Sequence, residues 1–272
     1  MTTETIVRPP AAPAQAFLAL LLRDLAVLRK EIWMFVGRTV MQPFLLIFVF
    51  AYVFPKIGQS VGGARGASQF STLLVGGVIA SVLVFQGIQA VALPLVQDFG
   101  YTREIEDRVL APLPVWAVAL EKVASGTVQA LLASLVVFPL AAFIPATPVD
   151  IDVHWPLLIT ILPLSALMSA SLGLVIGTRF EPRSVPLIFS LLVIPMTFLG
   201  GVYYPWESLS PLPWLKWAVL VNPLIYMSEG MRLSLTNGIP HMNAGVVYLA
   251  LGGFTTAFLI SGTRSFATRV LT

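Results

Sequence analysis

The chain contains no cysteine, which excludes disulfides, thiolate metal sites and cysteine nucleophiles together. Its two histidines, His154 and His241, stand far apart, too few and too remote to build an imidazole metal centre. Charge is scarce as well. Only 11% of residues are Asp, Glu, Lys or Arg, against about 25% in soluble domains, so the chain cannot clothe a water-facing surface. The formal charge of +3, from 16 basic and 13 acidic residues, is too small for a nucleic-acid binder. No Gly-x-x-x-x-Gly-Lys-Ser/Thr phosphate loop, His-Glu-x-x-His, Gly-x-Ser-x-Gly or Gly-x-Gly-x-x-Gly occurs, so the expectation is no catalytic residue, no metal and no cofactor on this chain. The apolar runs hold no pair of carboxylates of the kind that relays protons or sodium, and no inverted repeat of a secondary carrier is visible.

What the sequence has instead is 57% hydrophobic residues and a mean hydropathy of +0.88. A membrane span needs about 20 mostly apolar residues. The pattern predicts an all-α integral membrane fold with six transmembrane helices, at about 33–55, 70–96, 120–144, 155–178, 185–204 and 243–263. The first must run back past Arg38, whose long side chain can snorkel to the headgroups. With the N-terminus inside, 12 of the 16 basic residues fall on inner segments and only Lys56, Arg65, Lys216 and Arg232 outside. That bias predicts cytoplasmic N- and C-termini. Residues 1–14, with Pro9, Pro10 and Pro13, read as a disordered lead without a removable signal peptide, and 15–272 as one membrane domain.

Between the spans, 15–32 is too charged to cross. Phe17, Leu21, Leu25, Leu28 and Ile32 share one face, as in a helix lying in the inner interface. The loop 98–108 is the densest charge cluster. It reads either as a solvated connector or as a docking knob with Phe99 and Tyr101 as apolar anchors. Span one carries Phe44, Phe48 and Tyr52 at a stride of four, a stripe that faces lipid or neighbouring helices, or lines a path for an amphiphilic or sugar-bearing substrate. Span four carries Ser165, Ser169, Gly173 and Gly177 at the same stride, a line that lets another helix of the chain approach closely. From 205 to 232 the chain is crowded with Pro, Trp and Tyr. This reads as an outer re-entrant segment of half-inserted helices, with Glu229 and Arg232 near its exit; non-helical backbone at that depth must be buried in protein or line a wet cavity.

Taken in order, Phe198-Leu-Gly-Gly-Val-Tyr-Tyr-Pro205, Leu212-Pro-Trp-Leu215, Asn222-Pro-Leu224 and Arg232 form a pattern that resembles the permease subunits of bacterial type-2 ABC exporters, the daunorubicin-export and nodulation-factor-export group. The likeness runs from about Gln15 to the C-terminus and takes in the charged inner loop and the short loop Gly177-Thr-Arg-Phe-Glu-Pro-Arg183. The resemblance implies a bacterial inner-membrane permease, paired with a second copy as a homodimer. Two separate cytoplasmic ABC ATPase subunits would carry the ATP and Mg. It implies that Asp98, Phe99, Tyr101, Arg103, Glu104, Asp107 and Arg108 form the ATPase-coupling element, with Arg179, Glu181 and Arg183 as a secondary contact. The outer gate would comprise Gly200, Gly201, Tyr203, Tyr204, Pro205, Asn222, Pro223, Glu229 and Arg232. The compact outer loops fit export of a hydrophobic drug-like or lipid substrate; a lipid-linked glycan or polysaccharide is the alternative, and an ion-coupled carrier a more distant one.

Overall fold

The computed structural model describes residues 13–59, 63–102, 113–181 and 183–271; residues 1–12 of the expected lead lie outside them. Among the described residues every regular element is helical. Helix α1 (Pro13–Lys30) contributes no buried residue, and a single non-helical residue, Glu31, separates it from α2 (Ile32–Ile47). The long helices α3 (Gly63–Gln97), α4 (Val115–Phe143) and α5 (Trp155–Arg179) follow. After them come α6 (Val185–Leu199), the short α7 (Pro213–Ala218), α8 (Pro223–Leu235) and α9 (Ala244–Leu271).

Among the described residues, five helical stretches are long and apolar enough to cross a membrane: Ile32–Lys56, Gly66–Gly100, Val115–Phe143, Trp155–Arg179 and Ala244–Val270. The expected fifth span, 185–204, differs. Its helix α6 has 15 residues and stops at Leu199, where Gly201 takes a left-handed φ of +66° and turns the chain aside. At about 1.5 Å per residue, α6 covers roughly 22 Å, short of the roughly 30 Å hydrocarbon layer. The remaining helices start earlier or end later than their apolar runs. Once a helix is packed, its polar flanking turns propagate without needing apolar side chains.

Proline shapes the end of α2. The helix continues as a π turn, Phe48–Val53, into Phe54–Lys56. Pro55 has no N–H to return to the carbonyl of Ala51, and that carbonyl accepts instead from the Ala146 N–H at 2.9 Å. A local helix defect thus becomes a tie to the segment after α4.

The hub is α3, which packs against α4, α5 and α8. Small residues set these approaches. A Cβ on Gly173 of α5 would stand 2.8 Å from the Ile88 carbonyl oxygen, and one on Gly177 3.1 Å from the Ala92 Cα. A Cβ on Gly87 would press on Ser169. The stride-four line of span four therefore meets α3 within the chain. Around these contacts Leu83, Val84, Ile88, Ile161, Met168 and Leu224 are fully buried, forming one core from α3, α5 and α8.

Candidate functional site

Two assemblies of the sequence-predicted residues lie along α3. The first gathers the segment that the sequence reading expects to face outward. Helix α8 is entered by Asn222, whose side-chain oxygen accepts from the Leu224 N–H at 3.0 Å while its amide donates to the Met196 carbonyl at 2.7 Å. The Asn-Pro-Leu triplet is thus an N-cap followed by a proline at the first helical position, and the cap also fastens α8 to α6. Although only 13 residues long, α8 is buried along nearly its whole length, charged residues included.

Glu229 and Arg232 pair with each other, Oε1 to Nη1 at 2.7 Å, with side-chain exposures of 1% and 0%. The Glu229 carboxylate also accepts from the Trp206 N–H and the Met242 N–H, each at 2.8 Å. Arg232 donates through Nη2 to the carbonyl of Gly201. One ion pair therefore ties four points: the turn after α6, the turn at Trp206, α8 itself and the entry to α9. A buried ion pair is sustained best when its remaining hydrogen-bonding capacity is used; backbone groups take up most of it here, while the Arg232 Nε has no partner. The floor beneath the pair is α3. A Cβ on Gly76 would stand 3.0 Å from the Arg232 Cγ, and one on Gly77 would collide with the Val202 carbonyl.

The other outer residues close around this knot. A Cβ on Gly200 would collide with Leu224, and one on Gly201 with Ile225. The Tyr204 hydroxyl donates to the Phe198 carbonyl at 3.2 Å. The Tyr203 ring rests against Phe198 and, across to the π turn of α2, against Phe50. Pro205 precedes the 3-10 turn Trp206–Leu209, and the Trp206 indole donates to the Lys216 carbonyl at 2.9 Å beneath the Lys216 ammonium. All nine outer residues named from the sequence, from Gly200 to Arg232, thus belong to one packed assembly.

The second assembly lies at the far end of α3. Asp98–Thr102 continues the helix as a π turn. Asp98 is buried. The Phe99 ring meets Phe266 of α9 edge-on, centroids 5.9 Å apart. The Arg269 guanidinium stands 4.7 Å from the centroid of the same Phe99 ring. Arg269 also donates to the Thr178 and Phe180 carbonyls, at 3.0 and 2.8 Å, covering the C-terminal carbonyls of α5 as a cation does best. Arg179, Glu181 and Arg183 are exposed next to this cap. Arg269 therefore brings together the two segments, 98–102 and 179–183, that the sequence reading set apart as primary and secondary contacts. The Tyr101 side chain and all of Arg103, Glu104, Asp107 and Arg108 lie outside the described residues.

Helix α1 is anchored to the same end. Lys122 of α4, 3% exposed, donates to the Asp24 carboxylate at 2.8 Å. The stripe on α2 is a continuous stack: Phe44 to Phe48 at 5.7 Å and 12°, and Phe48 to Tyr52 at 5.4 Å and 13°. Phe48 and Tyr52 are exposed, and neither they nor Phe44 lines the two cavities beside α2.

Several of these partners escaped the sequence reading. Arg269 entered it only as a positive inner charge, and Phe266, beyond the expected end of the last span at 263, did not enter it at all. The Gly76-Gly77 pair was a usable signal, since adjacent glycines in a membrane helix mark close backbone approach. Nothing in the sequence pointed to the Trp206 and Met242 amides, whose role rests on the backbone path. No group of three His, Cys, Asp or Glu residues that could hold a metal occurs among the described residues.

The family described as ABC-2 type transporter matches residues 15–236 of the chain. The inner membrane transport permease YadH of Escherichia coli (strain K12) is 26% identical over 237 residues, covering 85% of this chain and 86% of that protein. The Shigella flexneri protein of the same name aligns with the same identity and coverage.

Proposed function

The chain belongs to the ABC-2 type transporter family, and from that premise we propose that it is the membrane permease of an ATP-driven exporter moving a hydrophobic drug-like or lipid substrate out across the bacterial inner membrane. It is an ABC transporter permease, a transport subunit and not an enzyme. The single observation that carries the reading is the family match over 15–236, which takes in the Glu229–Arg232 pair and the Asp98–Thr102 turn and ends before Met242, Phe266 and Arg269. In this proposal the chain is multi-pass with both termini cytoplasmic, works as a homodimer, and is driven by two cytoplasmic ATPase subunits that hold ATP and Mg.

The geometry supports a division of labour. The Asp98–Thr102 turn, steadied by Phe266 and Arg269, and the exposed Arg179, Glu181 and Arg183 suit an ATPase-facing surface. The Glu229–Arg232 knot suits an outer gate that moves as a unit, because its four tied points cannot shift separately. ATP-bound closure drives transport only if that state favours one permease conformation over the other.

The test is affinity purification from native membranes in mild detergent, followed by mass spectrometry and an ATPase assay. A stoichiometric P-loop ATPase with substrate-stimulated hydrolysis is the expected result. Recovery of the chain alone, with transport persisting under ATP depletion, would replace this reading with an ion-coupled carrier. The stacked Phe44–Phe48–Tyr52 ladder favours a second reading, export of a lipid-linked glycan or polysaccharide, because aromatic planes stack on sugar rings. Transport of glycolipid but not of apolar drugs in inverted vesicles would decide for it.

A further inference from the structure

Two cavities flank α2 on its side towards α3. The larger, about 670 Å³, opens between α1, α2, α3 and α4, and charges of both signs line it, among them Arg23, Asp24, Glu31, Asp98 and Lys122. The smaller, about 240 Å³, continues between α2, α3 and α6. Arg38 and Gln89 line both, so the two adjoin at these residues. In the smaller part the character changes. Arg38 is the only charged residue among its described lining residues, and the other polar groups there are uncharged: Thr39, Gln42, Ser81, Gln86, Gln89 and Thr197.

The donors in this inner part are in surplus. Arg38 is exposed and makes no hydrogen bond or ion pair with any described residue. Gln86 is only 4% exposed, and its Nε2 has no hydrogen-bond partner, although the oxygen of the same amide accepts from Thr39 at 3.4 Å. A buried amide nitrogen without an acceptor is costly and rare. A cation one to two turns inside a span is costly too, and marks a functional site when nothing in the protein neutralises it. Both deficits are met by the same ligand chemistry: a group rich in acceptor oxygens that carries negative charge.

Resting on the permease reading, we propose that this groove takes the anionic, phosphate-type headgroup of an amphiphilic substrate. The headgroup enters from the inner side through the charged mouth and is held at Arg38 and Gln86. A guanidinium suits phosphate because its planar fork gives two parallel charge-assisted bonds. The substrate class narrows accordingly, from hydrophobic compounds in general to amphiphiles with an anionic head.

The experiment measures binding to the purified full chain in nanodiscs, without any ATPase, so that its outcome is independent of the energy source. The probes are short-chain phosphatidic acid, short-chain phosphatidylcholine and inorganic phosphate. Phosphatidic acid should bind more tightly than either of the others. Arg38→Gln should weaken it about tenfold or more, Arg38→Lys less, and Gln86→Leu several-fold. Equal affinity of wild type and Arg38→Gln for phosphatidic acid overturns the proposal. So does a preference for phosphatidylcholine, and so does inorganic phosphate binding as tightly as the lipid, which would make the groove a free-anion site. If Arg38→Gln lowers self-association and leaves lipid affinity unchanged, Arg38 is an interface residue and the proposal falls. Gln86→Leu, which replaces the buried amide by a slightly smaller apolar group and gives up only the long Thr39 hydrogen bond at 3.4 Å, keeps the test open should Arg38→Gln misfold. Failure to recover an ATPase in the earlier purification would remove the exporter reading while leaving a positive binding result intact.

Discussion

Replacing Glu229 by Gln keeps the shape of the side chain and removes its charge, which makes it the sharpest probe of the outer knot. In the wild-type chain Oε1 receives the Arg232 Nη1 and the Trp206 N–H, and Oε2 receives the Met242 N–H. Glutamine can supply only one oxygen. If that oxygen keeps Arg232 and Trp206, its NH₂ faces the Met242 N–H, donor against donor. Arg232, fully buried, is left with its charge uncompensated, and breaking a buried pair from one side costs about 3–5 kcal/mol. Against a typical net stability of about 5–15 kcal/mol, Glu229→Gln should be severely destabilised. Glu229→Leu should fare worse, because both backbone amides lose their acceptor at about 1–3 kcal/mol each. Adding Arg232→Leu to Glu229→Leu should then recover about 3 kcal/mol, since the unpaired charge is gone and only the orphaned backbone groups remain. The assay is reversible unfolding of the detergent-solubilised chain, followed by tryptophan fluorescence. Glu229→Gln within about 1 kcal/mol of wild type, or a double variant no better than the sum of its singles, would refute the view that this pair organises the outer segment.

The assembly around Phe99 makes its own predictions. Arg269→Gln should leave the fold intact, because it removes one cation–π contact worth about 0.5–1 kcal/mol and carbonyl bonds that water can replace. It should nevertheless lower substrate-stimulated ATPase activity in the assembled transporter; wild-type coupling would show that the clamp on Phe99 is only structural. Glu104→Lys with Asp107→Lys should uncouple ATP hydrolysis from transport while the chain still folds, and survival of both activities would assign that loop to a plain connector. Gly77→Ala should destabilise by about 1–3 kcal/mol, because the new methyl meets the backbone carbonyl of Val202, which cannot be re-packed like a side chain. Gly253→Ala, which faces open space, should stay within about 0.5 kcal/mol in the same unfolding assay.

Much of this molecule could be read before any coordinates. Long apolar runs reported the membrane helices because hydrocarbon demands about 20 apolar residues wherever a helix crosses. The outer residues announced themselves by type: paired glycines, an Asn-Pro cap and interfacial aromatics are chosen for local geometry, which sequence records. Two things were not legible. The end of α6 at Leu199 hides within a run that stays apolar through Val202, so composition carried the span too far; the break is a backbone event at Gly201. The partners of Glu229 were also hidden, since two of its three donors are main-chain amides of Trp206 and Met242, and any residue type supplies those. Arg38 shows a third limit. Its sequence explains it fully as a snorkelling residue at a helix end, and only the groove beside it gives the charge something else to do.

Helix α3 carries both assemblies: the turn holding Phe99 prolongs one end, while Gly76 and Gly77 bear the weight of Arg232 and Val202 nearer the other. Between them lie about 22 residues, roughly 33 Å of helix at about 1.5 Å per residue, most of it wedged between α4, α5 and α8. A rod so confined is braced on three sides over most of that length, and its one proline, Pro94, sits close to the Phe99 end. If it slides or tips as a whole, a displacement applied at Phe99 reaches the glycine seat, where the fit is backbone against backbone and has no slack. Signal transfer across the bilayer would then need no chain of rearranging side chains: substitutions at the two ends of this one strut should disturb the transfer itself, while those at Gly87 and Ile88 along its middle should act first on the packing that holds the strut in place.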